Sequence, residues 1–182
     1  MFYNCFYVEE IKFIKYNRTD LTKLTHMFFN CKDLIYLDIS KLKTKNVTNM
    51  NGVFRECYNL TSIDLSNLKT CKVKDMSNLF NSCTNLKYLD LSSFDTSNVR
   101  HMTGTFYRCL NLIEIKLSNF NTSNVIDMVD MFSYCKSLDI LDITNFDFKN
   151  VKLMKSMFLG TSADLQKKVK EQNSGLRDEA FR

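Results

Sequence analysis

The chain of 182 residues has no proline and only 4 glycines, so no flexible linker is evident. No apolar run comes near the roughly 20 residues that a membrane-crossing helix needs. None of the 7 cysteines stands in the close pairs that zinc sites use. Only His26 and His101 could serve as general bases, and no Ser, Cys or carboxylate follows either at a recognisable spacing. A Gly-rich phosphate loop is missing as well. These absences argue against an enzyme, a metal centre or a cofactor. The amino end lacks the basic start, apolar run and small residues of a secretion signal. Two explanations compete: a piece of a longer surface protein, or a chain that stays inside the cell.

What is present is a period. Cysteine recurs at Cys5, Cys31, Cys57, Cys83, Cys109 and Cys135, a step of 26. Phenylalanine keeps the same step from Phe2 through Phe28, Phe54, Phe80, Phe106 and Phe132 to Phe158, and methionine from Met50 to Met154. A fixed period of this length means stacked units, each unable to bury its own apolar face. Register already holds at Phe2 and Cys5, next to Met1, which favours the truncated reading. It stops at Thr161, where the cysteine slot is lost. This divides the chain into a solenoid over 1–161, about six units with the first incomplete, and a cap or tail over 162–182. In that tail SADLQKKVKEQNS predicts a polar helix, with Ser162 as cap and Leu165 and Val169 on one face.

Each unit has two rhythms. In Leu86–Ser92 apolar and polar residues alternate, which predicts a half-buried strand. Val99, Met102, Phe106 and Cys109, spaced by three, four and three, predict one face of a short helix. Asn98, matched by Asn46, Asn124 and Asn150, stands where an N-cap would, and Asp75 and Asp127 would fall in the first turn. The fold class expected is α/β: a leucine-rich-repeat-like β-α solenoid, with one parallel sheet of six strands on the concave side and short helices on the convex side.

The phrases LKYLDLSSFDTSNVRHMTGTFYRC and LIEIKLSNFNTSNVIDMVDMFSYC closely resemble the BspA-like leucine-rich-repeat family, over about residues 2–160. The resemblance implies a bacterial or protist surface protein, with several adhesins among its relatives and no enzymatic activity. It implies a cell-surface or extracellular location and a non-enzymatic binding module with a protein or glycan partner. The alternative is a cytoplasmic scaffold for protein–protein interaction, which the missing signal and the free cysteines favour.

The six in-register cysteines form a structural ladder in an inward slot. Buried thiols, disulfides between neighbouring rungs and a metal site all stay open, the first preferred. Cys71, in the turn before the second half of its unit, is expected to be exposed and reactive. Outward strand positions line the surface where a partner would bind: Tyr36, Asp38, Asp64, Tyr88, Asp90, Glu114, Lys116 and Asp142. Asp38, Asp64 and Asp90 either belong to the following turns or form an acidic contact strip flanked by Tyr36 and Tyr88.

Net charge is +5, and the densest basic group is Lys41, Lys43 and Lys45 with Lys69, Lys72 and Lys74 one rung later. It is a solvated loop edge, or an edge attracting anions such as acidic polysaccharide or a membrane surface. Most aromatics occupy core slots, so the interleaved pattern of a nucleic-acid binder is missing. Asn17-Arg18-Thr19, Asn46-Val47-Thr48, Asn59-Leu60-Thr61 and Asn121-Thr122-Ser123 match the glycosylation triplet, which chance explains in so Asn-rich a chain.

Overall fold

The computed structural model describes residues 2–14 and 20–182; the Asn17 triplet and Met1 lie outside the described residues. Strands form where the alternating half of each unit predicts them: β1 Glu10–Lys12, β2 Tyr36–Asp38, β3 Tyr88–Asp90, β4 Glu114–Lys116 and β5 Ile140–Leu141. Each buries its central or final apolar residue, from Ile11 to Leu141. All pairings are parallel and in register one unit apart, as in Glu10↔Tyr36 and Tyr88↔Glu114. This is the expected leucine-rich-repeat solenoid, with two departures.

The first concerns the sheet. Instead of six strands in one sheet, the described residues form a pair, β1–β2, and a triplet, β3–β4–β5. The third unit forms no strand at 62–64, and its Ile63 is only partly buried, whereas Leu37 and Leu89 are core. Thr61 and Ser62 stand here where the neighbouring rungs have Ile35-Tyr36 and Lys87-Tyr88. Short hydroxyl side chains give little cross-strand packing to hold a ladder.

The second concerns the other half of each unit, which is a run of tight turns and not a helix. Its apolar spacing does put Val99, Met102, Phe106 and Cys109 inside, but two backbone positions in each unit are left-handed. His26, Gly52, Asn78, Gly104, Asp130 and Ser156 share one such slot, with φ between 55° and 60°. Asn30, Glu56, Ser82, Arg108, Tyr134 and Gly160 share the other, with φ between 57° and 71°. A right-handed helix admits neither. Alternate amides bond to the next rung instead: Met102 N–H to Asp127 C=O at 2.9 Å, Gly104 to Val129 at 2.8 Å, Phe106 to Met131 at 2.9 Å and Arg108 to Ser133 at 2.9 Å. The asparagines expected as N-caps are inter-rung struts. Asn98 Nδ2 donates to Cys71 C=O at 2.8 Å, Asn124 to Ser97 at 2.7 Å and Asn150 to Ser123 at 2.7 Å; Asn46 Oδ1 accepts from Lys72 Nζ at 2.9 Å. Asp75 and Asp127 open turns by accepting from Ser77 N–H at 2.9 Å and Val129 N–H at 3.0 Å.

Between sheet and turns the core is built of columns. The rings of Phe2, Phe28, Phe54, Phe80, Phe106, Phe132 and Phe158 stack at centroid distances of 5.2–5.9 Å, tilted by no more than 17°. Cys31, Cys57, Cys83, Cys109 and Cys135 are buried and unbridged, and each thiol donates to a carbonyl of the preceding rung, as Cys109 does to Phe80 at 3.1 Å. Cys5 is half-buried and Cys71 exposed. A third column is hydroxylic. Thr44, Thr70, Thr96 and Thr122 are buried, and each Oγ1 both donates to the carbonyl and accepts from the N–H of one residue in the next rung; for Thr96 that residue is Asn121, at 3.0 and 2.8 Å.

At the carboxyl end α1, Ala163–Gln172, starts where Ser162 Oγ accepts from Leu165 N–H at 3.1 Å and buries Leu165 and Val169. Gln172 bridges Leu141 C=O at 3.0 Å and Ile143 N–H at 2.9 Å, filling the positions a further strand would take. A 3-10 turn, Asp178–Phe181, completes the turn side. Glu179 and Ala180 carbonyls accept from Ser156 and Phe158 N–H at 2.7 Å each, and Phe181 stacks on Phe158 at 5.7 Å. No helix among the described residues is long and apolar enough to cross a membrane.

Candidate functional site: the strand face

Strand alternation points every second side chain outward, and the parallel register stacks these into columns. One column runs Glu10, Tyr36, then Tyr88, Glu114, Ile140; the next runs Lys12, Asp38, then Asp90, Lys116. Ser62 and Asp64 of the third unit stand between the two halves without ladder pairing. Tyr36 and Tyr88 are 50% and 59% exposed, too much for residues whose rings serve the core.

The break in the sheet shapes this face. A groove of about 360 Å³ has Tyr36, Asp38, Ser62 and Asp64 on its walls and Leu37 and Ile63 on its floor. A second of about 360 Å³ joins Ser62 and Ile63 to Tyr88, Asp90, Glu114 and Lys116. The unpaired rung lines both. A third, of about 330 Å³, shares Glu114 and Lys116 with the second and continues from β4 to β5, reaching Ile140 and Asp142. The eight expected residues therefore all face the same side. Tyr36, Asp38, Asp64, Tyr88 and Asp90 gather around the unpaired rung, and Asp142 belongs to the far groove.

Each aspartate on the face also holds a turn. Asp38, Asp64, Asp90 and Asp142 accept from the N–H two residues on, of Ser40, Ser66, Ser92 and Thr144, at 2.9 Å in every case. These bonds hold all four carboxyls below the usual range: the backbone N–H is the larger cause at Asp38 and Asp64, the hydroxyl of Ser92 or Thr144 at Asp90 and Asp142. The strip is thus firmly anionic at neutral pH. Its countercharges flank it, with Lys116 Nζ, on the rung between Asp90 and Asp142, 3.9 Å from Asp90, and Lys12, on the rung before Asp38, both 2.6 Å from Glu10 and over the Tyr36 ring at 5.3 Å. Glu10 and Lys12 escaped the sequence reading, although Glu10-Ile11-Lys12 repeats Glu114-Ile115-Lys116 letter for letter.

Chemically the face offers carboxylate and hydroxyl acceptors, two phenol rings and a shallow apolar floor. Its hydroxyls beside carboxylates, Ser92 Oγ at 2.6 Å from Asp90 and Thr144 Oγ1 at 2.7 Å from Asp142, belong to the turns that follow the strands. His101 lies on the turn side, in the column Asp75–His101–Asp127, and no hydrogen bond joins its ring to either carboxylate.

Comparison with solved structures identifies the architecture. The T. pallidum leucine-rich repeat protein TpLRR superposes with a TM-score of 0.65 at 19% identity, over 99% of this chain and 76% of that one. A leucine-rich repeat protein from Eubacterium ventriosum gives 0.50 at 18% identity, over 85% of this chain and 43% of the other. At such identities the likeness is one of fold. A search of curated proteins finds no match. A family model described as "Mycoplasma protein of unknown function, DUF285" matches residues 1–109 and again 74–176, nearly the whole chain. The chain belongs to this DUF285 family, built on a bacterial leucine-rich-repeat solenoid.

Proposed function

We propose that the protein is a non-enzymatic binding module, of the BspA-like surface type, that engages a protein or glycan partner in adhesion through the strand face. The solenoid over 1–161 would present this face, and 162–182 would close its end. One observation carries the reading: Tyr36 and Tyr88 stand exposed on either side of the unpaired rung, with Asp38, Asp64 and Asp90 fixed in the column beside them. Aromatic rings of limited freedom beside oriented charges are what contact surfaces use as anchors. The seven free thiols favour a second reading, a protein-interaction scaffold in a reducing compartment, through the same face.

The test separates charge from turn. Asp38→Asn, Asp64→Asn, Asp90→Asn keeps the turn acceptors and removes the charge; Tyr36→Ala, Tyr88→Ala removes the rings. Fluorescent protein is measured on intact host cells and on isolated matrix glycoproteins and glycans. Both variants are expected to fold like the parent and to lose binding. Unchanged binding in both, with loss on substitution of the turn side, would place the site elsewhere. Fractionation of the producing cell decides between surface and cytosol.

A further inference from the structure

The strand face leaves one strongly charged region unused. At the corner after each strand, three rungs share a device. Asp95, Asn121 and Asp147 accept from the N–H two residues on, of Ser97 at 3.0 Å, Ser123 at 3.0 Å and Lys149 at 2.8 Å. In the two rungs before them that slot holds Lys43 and Lys69, and the acceptor is gone. The corner itself is unchanged. Val47 and Val73 N–H bond to Thr44 and Thr70 C=O at 2.9 and 2.8 Å, as Val99 does to Thr96 at 2.9 Å. The exchange thus gives up a turn bond, keeps the fold and adds positive charge.

Lys41, Lys45, Lys72 and Lys74 complete a ridge of exposed lysines on two adjacent rungs, and Arg100 continues the column of Lys74. None of the six lysines makes an ion pair among the described residues; the side-chain partner of Lys72 is the amide of Asn46. The adjacent carboxylates are engaged elsewhere. Asp75 accepts from Asn49 at 3.1 Å, Asn51 at 3.4 Å and Ser77 N–H at 2.9 Å. Asp95 accepts from the N–H and hydroxyl of Ser97 at 3.0 and 2.6 Å, and Asp38 from Ser40 N–H at 2.9 Å on the strand face, where Lys41 attracts it from beyond ion-pair distance. Lysines on rungs about 4.8 Å apart repel one another, and a bound anion relieves that repulsion.

The make-up of the ridge narrows the anion. Its apolar residues, Leu42, Val47, Leu68 and Val73, are all buried, so it has nothing to insert into a bilayer. It carries no aromatic ring to stack on a base, and no helix or ribbon there can enter a DNA groove. What remains is a narrow double row of point charges suited to a linear chain of separated anionic groups. We propose that this lysine ridge binds an acidic polysaccharide, independently of the strand face.

The test measures the full chain on heparin and on hyaluronate across a series of salt concentrations. Lys43→Gln, Lys45→Gln, Lys69→Gln, Lys72→Gln is expected to weaken binding by about tenfold or more and to flatten the salt dependence, because released counterions scale with neutralised charges. Replacing the same four by Arg is expected to preserve binding. So is the control set Lys136→Gln, Lys149→Gln, Lys152→Gln, Lys155→Gln, which removes equal charge from exposed positions elsewhere. Equal loss in the control set would show mere net charge and overturn the proposal. Failure of the parent chain to bind either polysaccharide would overturn it too, as would tighter binding to phosphatidylglycerol vesicles or duplex DNA.

Discussion

At the scale of the residue, the threonine column shows how much of this fold hangs on single side chains. Thr96 is fully buried, and its hydroxyl satisfies both backbone groups of Asn121 at once. Thr96→Val keeps the shape and strands both groups, which is expected to cost about 1–3 kcal/mol. Thr96→Ser keeps the bridge and loses a methyl, for roughly 0.5–1.5 kcal/mol. Urea unfolding measures both, and a Thr96→Val variant as stable as the parent would mean that the bridge contributes nothing. In the ring column, Phe106 lies between Phe80 at 5.9 Å and Phe132 at 5.4 Å. Phe106→Ala is expected to cost ~3–5 kcal/mol, and an unchanged melting temperature would refute the stacked core. The two columns differ in legibility. Phenylalanine at a fixed step is buried whatever the backbone does. The threonine slot recurs just as regularly, but its partners lie 25 residues on, and no local pattern points to them.

At the scale of the element, spacing alone misassigned half of every unit. Three, four and three describe an inward face equally well on a helix and on a string of turns. Deciding between them takes the backbone, and the hint was in the left-handed slots: Gly52, Gly104 and Gly160, with Asn30 and Asn78, are residues that tolerate positive φ. Circular dichroism checks the outcome. The far-ultraviolet spectrum should show helix equivalent to the 10 residues of α1 and little more. A signal from a helix in every rung would restore the first expectation. The strand half was legible because alternation has one meaning in so short a run, and it failed only at Ser62–Asp64, where packing partners are small. Hydrogen exchange should find the amides of 62–64 fast, while Met76, Asn78 and Phe80, each bonded to the next rung at 2.8–2.9 Å, stay protected. Uniform protection across both would mean that the sheet closes in solution.

At the scale of the whole molecule, the two repeated titratable columns bracket stability from opposite sides. The carboxyls of Asp38, Asp64, Asp90, Asp95 and Asp142 are held low by their turn bonds, so the stability they confer is present above the ordinary aspartate value, about 3.9, and is lost as pH falls through their folded values. Asp130, raised by burial, works against them in acid. The thiols act in alkali. Burial raises Cys31 to about 11 and pushes Cys57, Cys83 and Cys135 up as well. An unfolded thiol ionises near 8.5, so above that pH the unfolded chain sheds protons that the native column retains, and stability declines as pH rises toward the folded values. The melting temperature is therefore expected to be highest between about pH 5 and 8 and to fall on both sides. The alkaline limb carries the test of the ladder. Cys57→Ala, Cys83→Ala removes two of its thiols and should lower the melting temperature at pH 7 but flatten its fall toward pH 10. A thiol reagent adds a count: Cys71 fast, half-buried Cys5 slower, the five buried thiols released on unfolding. Fewer than the 7 thiols in denaturant without reductant, or an alkaline limb that the double substitution leaves as steep as before, would show that the column is not the reduced, proton-holding core that its burial implies.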